Sequence, residues 1–178
     1  MAVCQKIIIA GFSGAGKSTL LRQLRASPQL GFSLFDDLDA LVLKACRPRY
    51  SRLSDLIEKE GWDRFRLLER QTFEGWIKEE EKGVLSLGGG TLSPLLLELY
   101  ARHPRLRFCY LVTPFEECWS RLVNDHEEPR PLVQRGQAEL HRIYLERERL
   151  FEQIPWRLDG TLPMEQLAKQ LWAGVSPE

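Results

Sequence analysis

Residues 7–18 read IIIAGFSGAGKS, and this stretch decides the fold. Its first four residues are apolar and predict a short buried β-strand, and a helical pattern over about 17–26 follows. Between them, residues 11–18 match the phosphate-loop pattern G-x-x-x-x-G-K-[ST] at every fixed position. A strand, a glycine-rich loop and a helix in this order place a helix N-terminus against an anion. The stretch therefore predicts a site for ATP or GTP.

The residues of this loop have separate chemical tasks. Glycines let backbone N–H groups converge on phosphate oxygens without a side chain in the way. Lys17 is predicted to reach the β- and γ-phosphates, and the hydroxyl of Ser18 is placed to ligate Mg²⁺. A serine-hydrolase elbow is excluded because Ala15 stands where that motif needs glycine. The predicted nucleotide-binding residues of the loop are Gly14, Ala15, Gly16, Lys17, Ser18 and Thr19.

Short apolar runs suited to buried parallel strands recur along the chain. After 7–10 they lie at 33–35, 84–87, 108–111 and 156–158. Helical patterns lie between and after them, at about 38–46, 64–80, 94–102, 115–123, 137–152 and 163–173. This alternation predicts a three-layer α/β fold with a five-stranded parallel sheet flanked by helices, whose ligands bind at the carboxyl ends of the strands. We expect one domain over residues 1–178.

The composition narrows the class of function. The 178 residues contain 25 Lys+Arg and 25 Asp+Glu, and this zero net charge argues against a nucleic-acid partner. No apolar run approaches 18 residues, so no membrane span is expected. The cysteines Cys4, Cys46, Cys109 and Cys118 form no C-x-x-C pair and are expected to be free thiols. We therefore expect a cytoplasmic monomer that acts on a small molecule.

Three further features are candidates for a second-substrate site. DDLD at 36–39 ends the second predicted strand, GGG at 88–90 ends the third, and Arg66 precedes Glu69 by three residues. Carboxylates at this edge can hold Mg²⁺ through water, accept hydrogen bonds from hydroxyl groups or take a proton. Each feature also has a plain structural interpretation. Asp37 could cap a helix, the glycines could form a turn, and Arg66 with Glu69 could be a surface ion pair.

Taken together, the motifs of this chain resemble those of the shikimate kinase family, from about residue 6 to residue 159. The shared motifs stand in the family's order: GAGKST at 14–19, FDDLD at 35–39, G-x-x-x-F-R-x-x-E at 61–69, GGG at 88–90, YL at 110–111 followed by Arg121, RPL at 130–132, and ER with LF within 146–151. The phosphate loop alone is shared by many proteins, but the ordered set is fairly specific.

The resemblance implies an adenylate-kinase-like fold with a small lid over about 124–136 and substrate-side helices over about 38–80. It also implies ATP- and Mg²⁺-dependent phosphorylation of the 3-hydroxyl of shikimate. The implied substrate-binding residues are Asp39, Arg66, Gly88, Gly89, Gly90 and Arg147. The implied catalytic residues are Lys17, Asp39 as the base, and Arg130 from the lid. Ser18 and Asp37 are the implied Mg²⁺ ligands, and Arg121 is expected to stack near adenine.

The chain also departs from the family pattern. Leu21 stands where the family usually has glycine, Trp62 replaces a glutamate, and Arg149 replaces a proline. The stretch 44–52 lacks the family's usual glycine before the substrate-side helix. Because most departures lie in the substrate half, two alternatives stay open. One is a P-loop kinase for another small hydroxylated acid, such as gluconate, and the other is a nucleotide-binding regulatory module without transfer chemistry.

Overall fold

The computed structural model describes residues 5–100, 103–125 and 133–175. Strands and helices alternate along these residues. In chain order they are β1 (Lys6–Ala10), α1 (Lys17–Ala26), β2 (Leu34–Asp37), α2 (Leu38–Ala45), α3 (Leu53–Lys78), β3 (Gly83–Ser86), α4 (Pro94–Tyr100), β4 (Leu106–Val112), α5 (Phe115–Val123), a 3-10 turn (Val133–Arg135), α6 (Gln137–Phe151), β5 (Trp156–Asp159) and α7 (Met164–Val175).

The strands form one parallel sheet in the order β2-β3-β1-β4-β5. The central strand β1 pairs with β3, where Ile7 lies opposite Val84, and with β4, where Ile8 lies opposite Phe108. All five residues of β1 are buried, because helices cover both faces of a parallel sheet. The order reverses at β1, which opens a crevice at the carboxyl end of that strand. The predicted three-layer, five-stranded fold is confirmed.

Helix α3 differs from the prediction, because it begins at Leu53 rather than near residue 64. The backbone leaves helical geometry at Gly61, with φ 83° and ψ 167°, so α3 consists of two helical halves. Glycine tolerates this positive φ without strain. The first half buries Leu56 but is otherwise mostly polar, so its apolar periodicity is too short to predict a helix.

Glu60 connects the two halves of α3 to the loop before them. Its carboxylate accepts a hydrogen bond from the hydroxyl of the buried Tyr50 at 2.5 Å. It also pairs with Arg49 at 2.9 Å on one side and with Arg64, beyond Gly61, at 3.4 Å on the other. The stretch 44–52, which departs from the family pattern, therefore packs against the end of the first half of α3.

Two further features of the chain agree with the sequence. Cys46, Cys109 and Cys118 are free thiols, whereas Cys4 lies outside the described residues. Within the described residues, no helix has both the length and the apolar character needed to cross a membrane.

Candidate active site

The phosphate loop turns tightly between β1 and α1. Gly14 has φ +79°, and a Cβ atom there would lie 2.6 Å from the carbonyl oxygen of Cys118, so only glycine fits. Lys17 is buried, and its Nζ donates hydrogen bonds to the carbonyl oxygens of Gly11 and Phe12, both at 2.8 Å. The ammonium group therefore lies over the loop, at the N-terminus of α1, where an anion is favoured.

Asp37 caps α2 and also contacts the phosphate loop. Its Oδ1 caps α2 by accepting hydrogen bonds from the backbone N–H of Asp39 at 3.1 Å and of Ala40 at 3.3 Å. Its Oδ2 accepts a hydrogen bond from the hydroxyl of Ser18 at 3.2 Å. A hydroxyl and a carboxylate side by side are the hard oxygen ligands that Mg²⁺ prefers, so these two residues fit the predicted metal.

Asp39 lies in the first turn of α2, with its carboxyl group against the backbone of Gly88. A Cβ atom at Gly88 would lie 2.7 Å from Oδ1 of Asp39. That oxygen is buried and has no hydrogen-bond partner among the described residues. Burial, with the nearby carboxylates of Asp37 and Glu69, raises the pKa of Asp39 to about 7. A carboxyl group with this pKa and a free oxygen can take a proton at neutral pH.

Two guanidinium groups converge on Gly90. A Cβ atom at Gly90 would lie 2.8 Å from Nη2 of Arg147 and 2.9 Å from Nη2 of Arg66. Arg147, on α6, also donates through Nη1 to the carbonyl oxygen of Gly89 at 2.9 Å. Burial and the charge of Arg66 lower the pKa of Arg147. Two close cations of this kind form a site for a carboxylate or a phosphate, which both can grip through parallel hydrogen bonds.

Arg66 pairs with Glu69, and the pair is only partly exposed, with the side chain of Arg66 at 39%. Glu69 is only 2% exposed. One of its oxygens accepts from Nη1 of Arg66, and the other accepts from the hydroxyl of Thr91 at 2.6 Å. No motif of the sequence points to Thr91, although it directly follows the triple glycine. The ion pair therefore belongs to the wall of the pocket.

The triple-glycine loop lies so close to the surrounding groups that a Cβ atom on any of its three residues would displace a neighbour. Besides the contacts of Gly88 and Gly90, a Cβ atom at Gly89 would lie 2.7 Å from the backbone nitrogen of Ser13 in the phosphate loop. The loop therefore brings Asp39, the phosphate loop and the arginine pair into one crevice. In this crevice the carboxyl group of Asp39 lies beside Gly88, and the two guanidinium groups lie beside Gly90.

The remaining predicted site residues lie apart from this pocket or outside the described residues. Arg121, on α5, donates to the carbonyl oxygens of Ala15 at 3.1 Å and Gly160 at 3.3 Å, beside the phosphate loop. Its stacking on adenine stays a prediction. Thr19 is exposed on α1. Arg130 and most of the predicted lid over 124–136 lie outside the described residues.

The departures at Leu21, Trp62 and Arg149 replace none of the site residues described above. Leu21 is buried in the core, and Arg149 is exposed. Trp62 is 51% exposed, and the guanidinium carbon of Arg66 lies 5.3 Å from its ring centroid. A ring at this distance stabilises a cation. The tryptophan thus contacts Arg66, a residue of the site.

Substitution of Gly90 by alanine is expected to weaken binding of an anionic substrate by roughly 10-fold or more, because the new methyl group displaces both guanidinium tips. Flexible arginine tips can move aside, so the protein should still fold. Gly75→Ala is the matched control, since a Cβ atom there meets nothing within 4 Å. Substrate KM values and melting temperatures of both variants test this. An unchanged KM for Gly90→Ala would contradict it.

Comparison with known proteins identifies similar chains over nearly the whole length. The family model described as "Shikimate kinase" matches residues 13–172. The shikimate kinase of Chlorobium chlorochromatii is 37% identical over 75% of this chain and 65% of its own length. That of Streptococcus gordonii is 30% identical over 83% and 84%. The structure of shikimate kinase from Acinetobacter baumannii in complex with shikimate has the same fold, with a TM-score of 0.81, 24% identity, and coverage of 98% and 94%.

Proposed function

The chain belongs to the shikimate kinase family, and we propose that it is an ATP-dependent kinase that phosphorylates the 3-hydroxyl of shikimate. One observation carries this proposal. A phosphate loop shares its crevice with a pocket that presents two guanidinium groups, those of Arg66 and Arg147, and the carboxyl group of Asp39. Shikimate has a carboxylate that the two guanidinium groups can bind, and ring hydroxyls that can donate to the carboxyl group of Asp39.

The arginine pair binds and orients the substrate. Arg66 and Arg147 hold the carboxylate of shikimate, and Glu69 keeps Arg66 in place from behind. The backbone of the triple-glycine loop lies close enough to both cations to form the floor of the pocket. Because the ring is rigid, fixing its carboxylate also fixes its hydroxyls. The 3-hydroxyl is thereby directed toward Asp39.

Asp39 acts on the attacking hydroxyl. It accepts the hydrogen bond of the 3-hydroxyl and takes its proton as the oxygen bonds to the γ-phosphorus and the bond from that phosphorus to the β-phosphate oxygen breaks. The raised pKa of Asp39 suits this task, since the group is partly ionised at neutral pH and can hold the proton afterwards. Its Oδ1, which has no hydrogen-bond partner in the part of the chain that the structure describes, would accept a hydrogen bond from the hydroxyl.

The phosphate loop holds the donor. Backbone N–H groups of Gly14, Ala15 and Gly16 and the ammonium group of Lys17 bind the β- and γ-phosphates. Ser18 and Asp37 would hold Mg²⁺, which when bound neutralises charge on those phosphate oxygens.

Two roles in the proposal rest mainly on the family resemblance. Arg121 would lie beside adenine, and its hydrogen bonds to the phosphate loop and to Gly160 support a position at that end of the crevice. Arg130 would contact the transferring phosphoryl group from the lid over about 124–136.

The proposal is tested by an assay of ADP release with ATP, Mg²⁺ and a panel of acids that includes shikimate, quinate and gluconate. We expect turnover on shikimate with a clear preference over gluconate, and phosphorus NMR of the product should show a phosphate ester at the 3-position. Turnover of another acid, with no turnover of shikimate, would show that shikimate is not the substrate. ATP binding without turnover of any acid would support the regulatory-module alternative instead.

We further propose that the protein acts as a cytoplasmic monomer on small molecules. The balanced charge of 25 basic and 25 acidic residues favours a small-molecule partner over a nucleic acid, which would require a basic protein. The free thiols of Cys46, Cys109 and Cys118 suit a reducing compartment. Light scattering of the purified protein should give the mass of one chain, and the mass of two would contradict the monomer.

A further inference from the structure

The hydroxyl group of Thr91 lies at the site but takes no part in the proposed reaction. We propose that Thr91 is a positioning residue: through Glu69 it holds the guanidinium group of Arg66 in the orientation that receives the substrate carboxylate. This inference rests on the proposed function, because it assigns Thr91 a task in binding shikimate. Thr91 itself does not touch the reacting atoms.

Glu69 is the link between the two residues. It is 2% exposed, and each of its carboxylate oxygens has one side-chain partner: Oε1 accepts from Thr91 at 2.6 Å, and Oε2 accepts from Arg66. A buried carboxylate needs such partners, because it has lost those it would have in water. Without the hydroxyl of Thr91, Oε1 lacks its side-chain donor, and Glu69 is expected to turn so that Arg66 satisfies both oxygens.

That rearrangement would withdraw Arg66 from the substrate. In the structure Arg66 uses Nη1 for Glu69 and presents Nη2 toward Gly90, where Nη2 of Arg147 also points. If Arg66 donated to both oxygens of Glu69, Nη2 would no longer face the carboxylate site. The hydroxyl of Thr91 thus decides how many of the donors of Arg66 remain for the substrate.

Thr91 also joins two walls of the pocket. Glu69 lies on α3, whereas Thr91 follows β3, and its backbone N–H donates to the carbonyl oxygen of Gly88 at 3.1 Å in a tight turn. Arg147 reaches the same loop from α6 through the carbonyl oxygen of Gly89. Hydrogen bonds to the loop over 88–91 therefore fix both arginines relative to each other, which is the preorganisation that a rigid substrate requires.

The test compares Thr91→Val, which keeps the shape and removes the hydroxyl, with Thr91→Ser, which keeps the hydroxyl. We expect Thr91→Val to raise the KM for shikimate by roughly 10-fold or more, as for the loss of a hydrogen bond to a charged group. The kcat should change less than about 3-fold, and the KM for ATP should not change, because the bond affects substrate binding rather than the chemical step. Thr91→Ser should restore the KM to within about 3-fold of the wild-type value.

A double-mutant cycle tests whether Thr91 acts through Glu69. In the background of Glu69→Gln, the additional change Thr91→Val should alter the KM for shikimate by less than about 2-fold. The same large increase in both backgrounds would overturn the inference, and so would a Thr91→Val variant with the wild-type KM. Equal losses in Thr91→Ser and Thr91→Val would also overturn it, since the hydroxyl would then not matter.

The controls separate this inference from the proposed function and from a purely structural role. Turnover of wild-type protein on shikimate is measured first, and its absence would refute the proposed function rather than the role of Thr91. Thermal melts accompany every variant. If neither Thr91→Val nor Thr91→Ala folded, Thr91 would be a structural residue and the positioning role would be wrong.

Discussion

Replacement of Asp39 by asparagine is expected to lower the kcat for shikimate phosphorylation by roughly 10²–10⁴-fold, the usual contribution of a general base. Asparagine has nearly the same shape and still hydrogen bonds to a hydroxyl, but it cannot take the proton. The KM for shikimate should therefore change much less than kcat. Steady-state kinetics with both substrates saturating measure the loss directly.

Asp36→Asn is the matched control for this variant. Asp36 lies three residues earlier on β2, and its Oδ2 instead accepts a hydrogen bond from Nε1 of Trp76 at 2.9 Å. It should retain a kcat within about 3-fold of the wild-type value, because it lacks contact with the reacting groups. If Asp39→Asn kept near-normal turnover as well, Asp39 would position the substrate and would not act as the base.

The substitution Asp39→Asn is also expected to stabilise the ligand-free protein at alkaline pH. Asp39 has an ordinary pKa near 3.8, which burial raises to about 7 in the folded protein. The folded state therefore binds this proton more tightly than the unfolded state, and the resulting stability is complete below the unfolded pKa and is lost as pH rises through the folded pKa. Asparagine stays neutral, so the gain in melting temperature should be larger at about pH 8 than at about pH 5. An equal gain at both would contradict the raised pKa.

Replacement of Arg66 by alanine is expected to raise the KM for shikimate by roughly 10²–10³-fold, because the substrate carboxylate then has one partly buried guanidinium partner instead of two. ATP binding should be nearly unchanged, since Arg66 lies on α3, where it pairs with Glu69 rather than with the phosphate loop. Equilibrium titrations with ATP and with shikimate separate the two effects.

Two further variants make the result for Arg66 specific. Arg70→Ala removes the same type of side chain one helical turn later, where Arg70 forms an exposed pair with Glu74 at 3.8 Å, and it should bind both ligands normally. Arg66→Lys keeps a charge beside the buried Glu69 but lacks the planar fork, so it should recover stability more than shikimate affinity. Equal loss of ATP and shikimate affinity in Arg66→Ala would make Arg66 a structural residue.

Much of the fold could be predicted, because its signals are local. The apolar run at 7–10 and the glycine-rich loop after it show a buried strand and a phosphate site in twelve consecutive residues. The five strands were predicted to within a few residues of the observed bounds. The first half of α3 was missed because Gly61 interrupts the helix and leaves too few apolar residues before it for a periodic pattern.

The candidate site could be predicted in its residues but not in its energetics. Family motifs point to Asp39, Arg66 and Arg147, which are 108 positions apart from first to last and meet only because α2, α3 and α6 converge on one loop. The burial of Glu69 was not foreseen, since an arginine and a glutamate three residues apart usually form an exposed pair. Nor did the sequence indicate the bond from Thr91.

What the sequence determined by itself was the class of fold, the phosphate loop and the family, since these depend on residue types at short, fixed spacings. Only the tertiary structure decided which polar groups lose water. Desolvation depends on what packs against a group from other elements. It raises the pKa of Asp39. It also leaves the buried carboxylate of Glu69 in need of hydrogen-bond donors, one of which is the hydroxyl of Thr91.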